Sequence, residues 1–173
     1  MLYTLICYSF NYQLRFNNNM EYNSSFGKNR SSFNSALREK FKLFVNRLQE
    51  IDIRFLAKDF REVSVAGLQS GDFIYCDPPY SVACATYNDG KRGFKGWTEE
   101  DDEKLFEILD TLDKAGVKFA LSNMLESRGK SNDLLKAWAV KYNIRHLDNN
   151  YSNCSYQKMD RVSKDMEILI TNY

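Results

Sequence analysis

The two prolines of this 173-residue chain stand side by side, at Pro78 and Pro79, directly behind the apolar run Phe73–Cys76. A short apolar run bounded by turn residues reads as a buried strand. Proline has no N–H to give to a sheet and fixes its own backbone torsion, so strand pairing must stop there. The sequence therefore delivers a strand into a rigid polar tip, Asp77-Pro78-Pro79-Tyr80. Whatever else the chain does, it has to build a sheet around that strand and leave its carboxyl end accessible.

The segments on either side supply candidates. Residues 36–50 carry Leu37, Phe41, Phe44, Val45 and Leu48 at spacings of three and four, which predicts an amphipathic helix with Ser35 as its N-cap. Residues 53–57 read as a strand. Residues 81–97 hold Gly90, Gly93 and Gly96 and read as a loop. The tetrapeptide Thr98-Glu99-Glu100-Asp101 is a capping box, and it opens a helix with Leu105, Ile108, Leu109 and Leu112 on one face that ends near Gly116. A strand over 117–121, a helix over 133–142, a strand over 144–147, a polar hairpin loop over 149–164 and a last strand over 166–171 complete the pattern. Residues 1–16 fit a short helix or a strand equally, and 17–34 read as loop. Strands alternating with helices predict an α/β fold with a mostly parallel sheet. Ligands of such sheets bind beyond the carboxyl ends of the strands, where Asp77 lies.

Composition narrows the function classes. Hydrophobic residues make up 43% and charged residues 27%, a globular balance, and the net charge of +1 argues for no partner by itself. The first 34 residues are mildly basic, with Arg15, Lys28 and Arg30 against Glu21. Cys7, Cys76, Cys84 and Cys154 form no C-x-x-C pair and His146 is the sole histidine, so no zinc site is expected. Nothing in the cysteine spacing suggests disulfides, which fits a cytoplasmic protein. The apolar start MLYTLICYSF lacks a basic leader and gives way to polar residues, so neither a signal peptide nor a membrane span is expected.

The chemistry of the strand tip points to an amine. The exocyclic amine of a nucleobase is a poor nucleophile because its lone pair is delocalised into the ring. Acceptors placed against its hydrogens draw the nitrogen toward tetrahedral geometry and stabilise the charge it gains. The Asp77 carboxylate and the Pro78 carbonyl, held by the double proline, can act as that pair. Tyr80 offers a flat face on which an extruded base can stack. The plain alternative is a turn that happens to spell D-P-P-Y.

Four stretches together resemble the D12 (Dam/DpnII-like) class of N6-adenine-specific DNA methyltransferases: F-N-Y-Q-L-R-F-N with E-Y-N-S-S-F-G-K (residues 10–17 and 21–28), I-Y-C-D-P-P-Y (74–80), L-S-N (121–123) and E-I-L-I-T-N (167–172). The resemblance implies methyl transfer from S-adenosylmethionine to adenine N6 in duplex DNA, at a GATC-like site, with no metal and no membrane. It makes Asp77, Pro78, Pro79 and Tyr80 catalytic, with Asp77 also against the methionine end of the cofactor and Asp59 and Phe60 near its adenine. It makes Asn11 and Arg15 face the DNA, Arg15 suiting the two acceptors of a guanine edge. Asn17, Asn23 and Lys28 match phosphate-contacting positions. The unspecialised alternatives are an ion-paired or solvated arginine and turn-forming asparagines. Tyr12 and Gln13 depart from the family pattern.

The family also carries a glycine-rich cofactor half, F-x-G-x-G after a strand, ahead of these motifs. None of the eight glycines here lies in a G-x-G behind an apolar strand. The resemblance thus implies a partial Rossmann-like class I methyltransferase fold. It comprises the C-terminal half of the sheet with an antiparallel last strand, the N-terminal cofactor-binding strands missing. Residues 1–34 are then a remnant of the target-recognition region and 35–173 the catalytic half. A truncated or split enzyme, with a separate N-terminal half as partner and poor cofactor binding alone, is expected. So are unpaired edges and exposed apolar faces. The competing expectation is a catalytically inactive DNA-binding or interaction fragment.

Overall fold

The computed structural model describes residues 1–17, 19, 21–29, 31–82, 97–127, 129–147 and 165–173. Gly90, Gly93 and Gly96 of the expected loop, Cys84 and Cys154, and the expected hairpin over 149–164 lie outside the described residues. The chain forms two compact units, Met1–Ala57 and Lys58–Tyr173. This division by compactness falls after the helix over 36–50, whereas the functional division expected from the motifs falls before it.

In the first unit the undecided N-terminus is a helix, α1 (Leu2–Tyr8), followed by a single 3₁₀ turn at Phe10–Tyr12. The loop that follows is folded back by two isolated bridges, Ser9 with Phe26 and Phe16 with Tyr22. Gly27 sits where the chain crosses itself. A Cβ there would come within 2.6 Å of the Ser31 side chain and 2.8 Å of the Ser9 carbonyl, so only glycine fits. Helix α2 spans Ser35–Glu50, and its cap is Asn34, whose side chain accepts from the Leu37 N–H at 2.9 Å. Ser35, expected as the cap, is instead the first helical residue. Tyr3 stacks on Phe41 of this helix with ring centroids 4.5 Å apart.

The strand expected over 53–57 is not formed. The segment has no regular secondary structure and pairs with no strand among the described residues. A strand is defined by hydrogen bonds to a neighbour, and apolar alternation alone cannot supply them. Phe55 is left 74% exposed and Leu56 67% exposed.

The second unit is a mixed α/β layer. Strand β1 (Phe73–Cys76) is followed by α3 (Glu99–Lys114), β2 (Lys118–Ser127), the short β3 (Lys130–Ser131), α4 (Asp133–Ala139), β4 (Asn143–Leu147) and β5 (Met166–Thr171). The sheet order is β1-β2-β5-β4, with β3 paired to the end of β2. β1 and β2 are parallel, and β5 runs antiparallel to both β2 and β4, so β1, β2 and β4 share one direction. The last strand is thus inverted, as the resemblance implied. β2 is longer than the expected 117–121 because β5 pairs along it from Ala120 to Glu126. α4 stops at Ala139 rather than 142, and Val140 beyond it is exposed.

The core lies where α3 and α4 cover the sheet. Leu105, Leu109 and Leu112 of α3 meet Phe119 and Leu121 of β2, Ile168 and Ile170 of β5 and Leu135 of α4. α3 begins as its sequence predicts: Thr98 and Asp101 cap each other reciprocally. It ends in a left-handed turn at Gly116, φ +73°, a torsion glycine adopts without strain. At the far edge β1 pairs with β2 alone among the described residues. Its outward residues Phe73 and Tyr75 are 54% and 58% exposed.

Candidate active site

The sheet register fixes where the motif sits. Cys76 pairs with Leu121 in the middle of β2, so Asp77 leaves the sheet at the carboxyl end of β1, beside the continuing β2. The Cys76 side chain points inward, and burial pushes its thiol up to about 11, which suits a small core residue. Asp77 is exposed, while Pro78 and Tyr80 are half-buried.

The Tyr80 hydroxyl reaches back toward the sheet. Its Oη lies 3.0 Å from Oε1 of Glu167 on β5 and 3.3 Å from Oδ1 of Asp77. Burial pushes the phenol well above its ordinary range, and the two adjacent carboxylates push it further the same way. The structure therefore brings together two carboxylates and one phenol at the strand tip. One step back along β1, the Tyr75 hydroxyl bonds Ser122 Oγ at 2.9 Å.

A second set of polar groups anchors the motif from behind. Ser81 Oγ accepts from Asn132 Nδ2 at 3.0 Å, and Asn132 Oδ1 caps α4 by accepting from the Leu135 N–H at 3.0 Å. Asp102, fully buried in the first turn of α3, accepts from Trp97 Nε1 at 2.8 Å. Burial raises the Asp102 carboxyl above the usual carboxylate range, against the Trp97 hydrogen bond and the neighbouring Ser81 and Asn132 side chains, and its Oδ2 has no hydrogen-bond partner among the described residues. Asn123, in the buried L-S-N stretch, accepts at Oδ1 from the Met124 N–H at 2.7 Å. Its buried Nδ2 has no partner among the described residues.

The expected cofactor-adenine pair lies in the same unit. Asp59 accepts from the Arg61 N–H at 3.0 Å and from Arg61 Nε at 2.9 Å, and these bonds, led by the backbone one, hold its carboxyl below the ordinary value. Arg61 Nη2 continues to Asp101 Oδ1 at 2.6 Å, and Phe60 packs 5.2 Å from Trp97. The contacts of Asp59 thus run through Arg61 to the start of α3.

The expected DNA-facing residues all lie in the first unit. Arg15 and Asn23 are joined through backbone, the Asn23 N–H donating to the Arg15 carbonyl at 2.8 Å. The exposed Arg15 guanidinium bonds Gln13 Oε1 at 2.8 Å. Asn17 forms the turn between them. Its Oδ1 accepts from the N–H groups of Asn19 and Glu21 at 2.8 and 3.0 Å, and its Nδ2 donates to Glu21 at 2.8 Å. Asn11 takes a left-handed torsion, φ 54°, and Lys28 is exposed. Among the described residues, no group of three or more His, Cys, Asp or Glu could hold a metal, and no helix is long and apolar enough to cross a membrane.

Comparison with known proteins fits this geometry. The family model of the D12 class N6 adenine-specific DNA methyltransferases matches residues 1–153. The chain belongs to that family. Among its relatives, the type II methyltransferase M.FokI of Planomicrobium okeanokoites is 51% identical over 99% of this chain and 26% of its own length. Modification methylase StsI of Streptococcus sanguinis is 47% identical over 99% and 26%. Modification methylase LlaI of Lactococcus lactis subsp. lactis is 38% identical over 99% and 26%. The chain therefore spans about a quarter of the length of these relatives.

Within this D12 chain, sequence reasoning missed Glu167, Ser81, Asp102 and Asn132. For Glu167 a signal existed: a carboxylate inside the apolar run Met166–Ile170. A buried carboxylate in a strand needs partners, and the Tyr80 hydroxyl at 3.0 Å is one of them. Ser81 and Asn132 carry no such signal, since both residue types are common in turns and caps.

Proposed function

We propose that this chain is the catalytic half of a class I, Rossmann-like DNA adenine-N6 methyltransferase, acting in the cytoplasm as part of a restriction–modification system. The observation that carries this reading is an exposed Asp77 carboxylate on a proline-stiffened tip at the carboxyl end of β1, with Tyr80 beside it. The inverted last strand and the order β1-β2-β5-β4 support its being the C-terminal half of such a sheet.

In this mechanism duplex DNA lies against residues of the first unit, with Arg15 and Asn11 reading bases and Asn17, Asn23 and Lys28 placing the backbone. The site read is GATC-like. The target adenine is extruded, because its amine is otherwise inside the duplex. Its ring stacks on Tyr80, and its amine gives its hydrogens to Asp77 and to the carbonyl of Pro78. Pro79 fixes that carbonyl's direction. These acceptors localise the lone pair on nitrogen, so it can attack in line. S-adenosylmethionine, when bound, supplies the electrophilic methyl group on its sulfonium.

The residues present fit part of that cofactor. The exposed Asp77 carboxylate suits the ammonium of its methionine end, and Asp59 with Phe60 suits its adenine. The glycine-rich segment that would let backbone approach it has no counterpart in this sequence. We place that segment, with the strands that accompany it, in a further polypeptide region, whether linked to this chain or separate. The exposed apolar side chains of Phe55, Leu56, Phe73 and Tyr75 support this arrangement, because surface of that kind is ordinarily covered.

The experiment is methyl transfer to duplexes containing or lacking GATC, read as N6-methyladenine by mass spectrometry. The chain is assayed alone and together with the part of its 51%-identical relative that this chain does not span. Transfer by the pair, lost in Asp77→Ala with DNA binding retained, is the expected result. DNA binding with no transfer by any combination would instead favour the inactive binding fragment.

A further inference from the structure

Tyr80 carries one hydroxyl hydrogen and faces two carboxylates, Glu167 at 3.0 Å and Asp77 at 3.3 Å. A phenol donates to one acceptor at a time. Glu167 is nearer and is 9% exposed, whereas Asp77 is exposed to water. A buried carboxylate has more to gain from a hydrogen bond than a solvated one, because water cannot replace the bond. The hydrogen therefore goes to Glu167, and the phenol oxygen turns its lone pairs toward Asp77. Asp77 Oδ1 is then not capped by the tyrosine at its side.

We propose that Glu167 is a positioning residue of this site, drawing the Tyr80 hydroxyl hydrogen away from Asp77 so that Asp77 meets the target amine as an open acceptor. Glu167 also fixes the Tyr80 ring through the same bond, from a strand in the middle of the sheet order. The inference rests on the proposed transfer reaction for its consequence, though the position of the hydrogen does not depend on that reaction. With glutamine at 167 the charge is gone, and the side-chain amide can donate to the phenol oxygen. The tyrosine hydrogen then turns to Asp77 and blocks one of its lone pairs.

Two measurements test this. The first uses the 173-residue chain without DNA or cofactor. The hydroxyl proton of Tyr80, identified by its loss in Tyr80→Phe, should give a downfield NMR resonance that persists in Asp77→Asn and is displaced or lost in Glu167→Gln. The reverse pattern, or no such resonance in the parent chain, overturns the proposal. The second uses the transferring complex. Glu167→Gln should lower kcat about ten- to a hundredfold, the span expected for one hydrogen bond to a charged group, with KM for DNA unchanged. In a Tyr80→Phe background the same change should cost less than about twofold, since no hydroxyl hydrogen remains to redirect. An equal loss in both backgrounds would make Glu167 merely structural and overturn the proposal. If the parent complex transfers no methyl group, the catalytic reading fails, and the NMR result still decides where the hydrogen lies.

Discussion

Replacing Asp101 by alanine should cost about 2–3 kcal/mol of stability, and the structure says how that cost divides. Oδ2 of Asp101 accepts from the Thr98 N–H at 2.8 Å and from Thr98 Oγ1 at 3.0 Å, and its own N–H donates back to Thr98 Oγ1 at 3.3 Å. Losing the carboxylate half of this box strands the Thr98 N–H at the start of α3, worth about 1 kcal/mol. Losing a negative charge from the first turn removes roughly another 0.5 kcal/mol of interaction with the helix dipole. The remaining oxygen accepts from Arg61 Nη2 at 2.6 Å. The arginine is half-exposed and keeps Asp59 at 2.9 Å, so this pair adds at most about 1 kcal/mol. Asp101→Asn keeps an oxygen for the cap and loses the charge, so it should cost about 1 kcal/mol. Urea unfolding followed by circular dichroism measures both variants, with an unchanged m-value as the check that only stability has moved. An alanine variant within about 0.5 kcal/mol of the parent, or an asparagine variant as costly as alanine, would refute this division.

Two further outcomes are expected. The folded-state pKa of Asp102 is raised, so its contribution to stability is complete below the ordinary value of 3.8 and is lost as pH rises through the raised value. Asp102→Asn, which keeps an acceptor for Trp97, should raise the urea midpoint at neutral pH and leave it little changed in acid; a lower midpoint at neutral pH would mean the charge is favourable in place. Arg15→Ala should reduce the preference for the proposed GATC-like site over unrelated duplex by about 1–3 kcal/mol in competition gel shifts, and an unchanged ratio would remove Arg15 from base reading.

Local signals decided much of this protein from the sequence. The run Phe73–Cys76, the capping box at Thr98–Asp101 and the glycine at 116 each specify backbone within a few residues of themselves, so β1 and both ends of α3 were legible. The Asp-Pro-Pro-Tyr tip was legible too, because two adjacent prolines stop a strand whatever surrounds it. Tertiary structure decided what needed a distant partner. Residues 53–57 have a strand's composition, but no neighbouring strand among the described residues accepts their hydrogen bonds. β2 outgrew its apolar run because β5 pairs along it. Glu167 lies 87 positions from Tyr80 in the chain, and only the antiparallel return of β5 beside β2 brings its carboxylate to the phenol. The capping and proline rules act through bonds of short sequence separation. Sheet neighbours and the hydrogen-bond partners of buried carboxylates depend on which segments the fold brings together, and no single stretch of sequence contains that information.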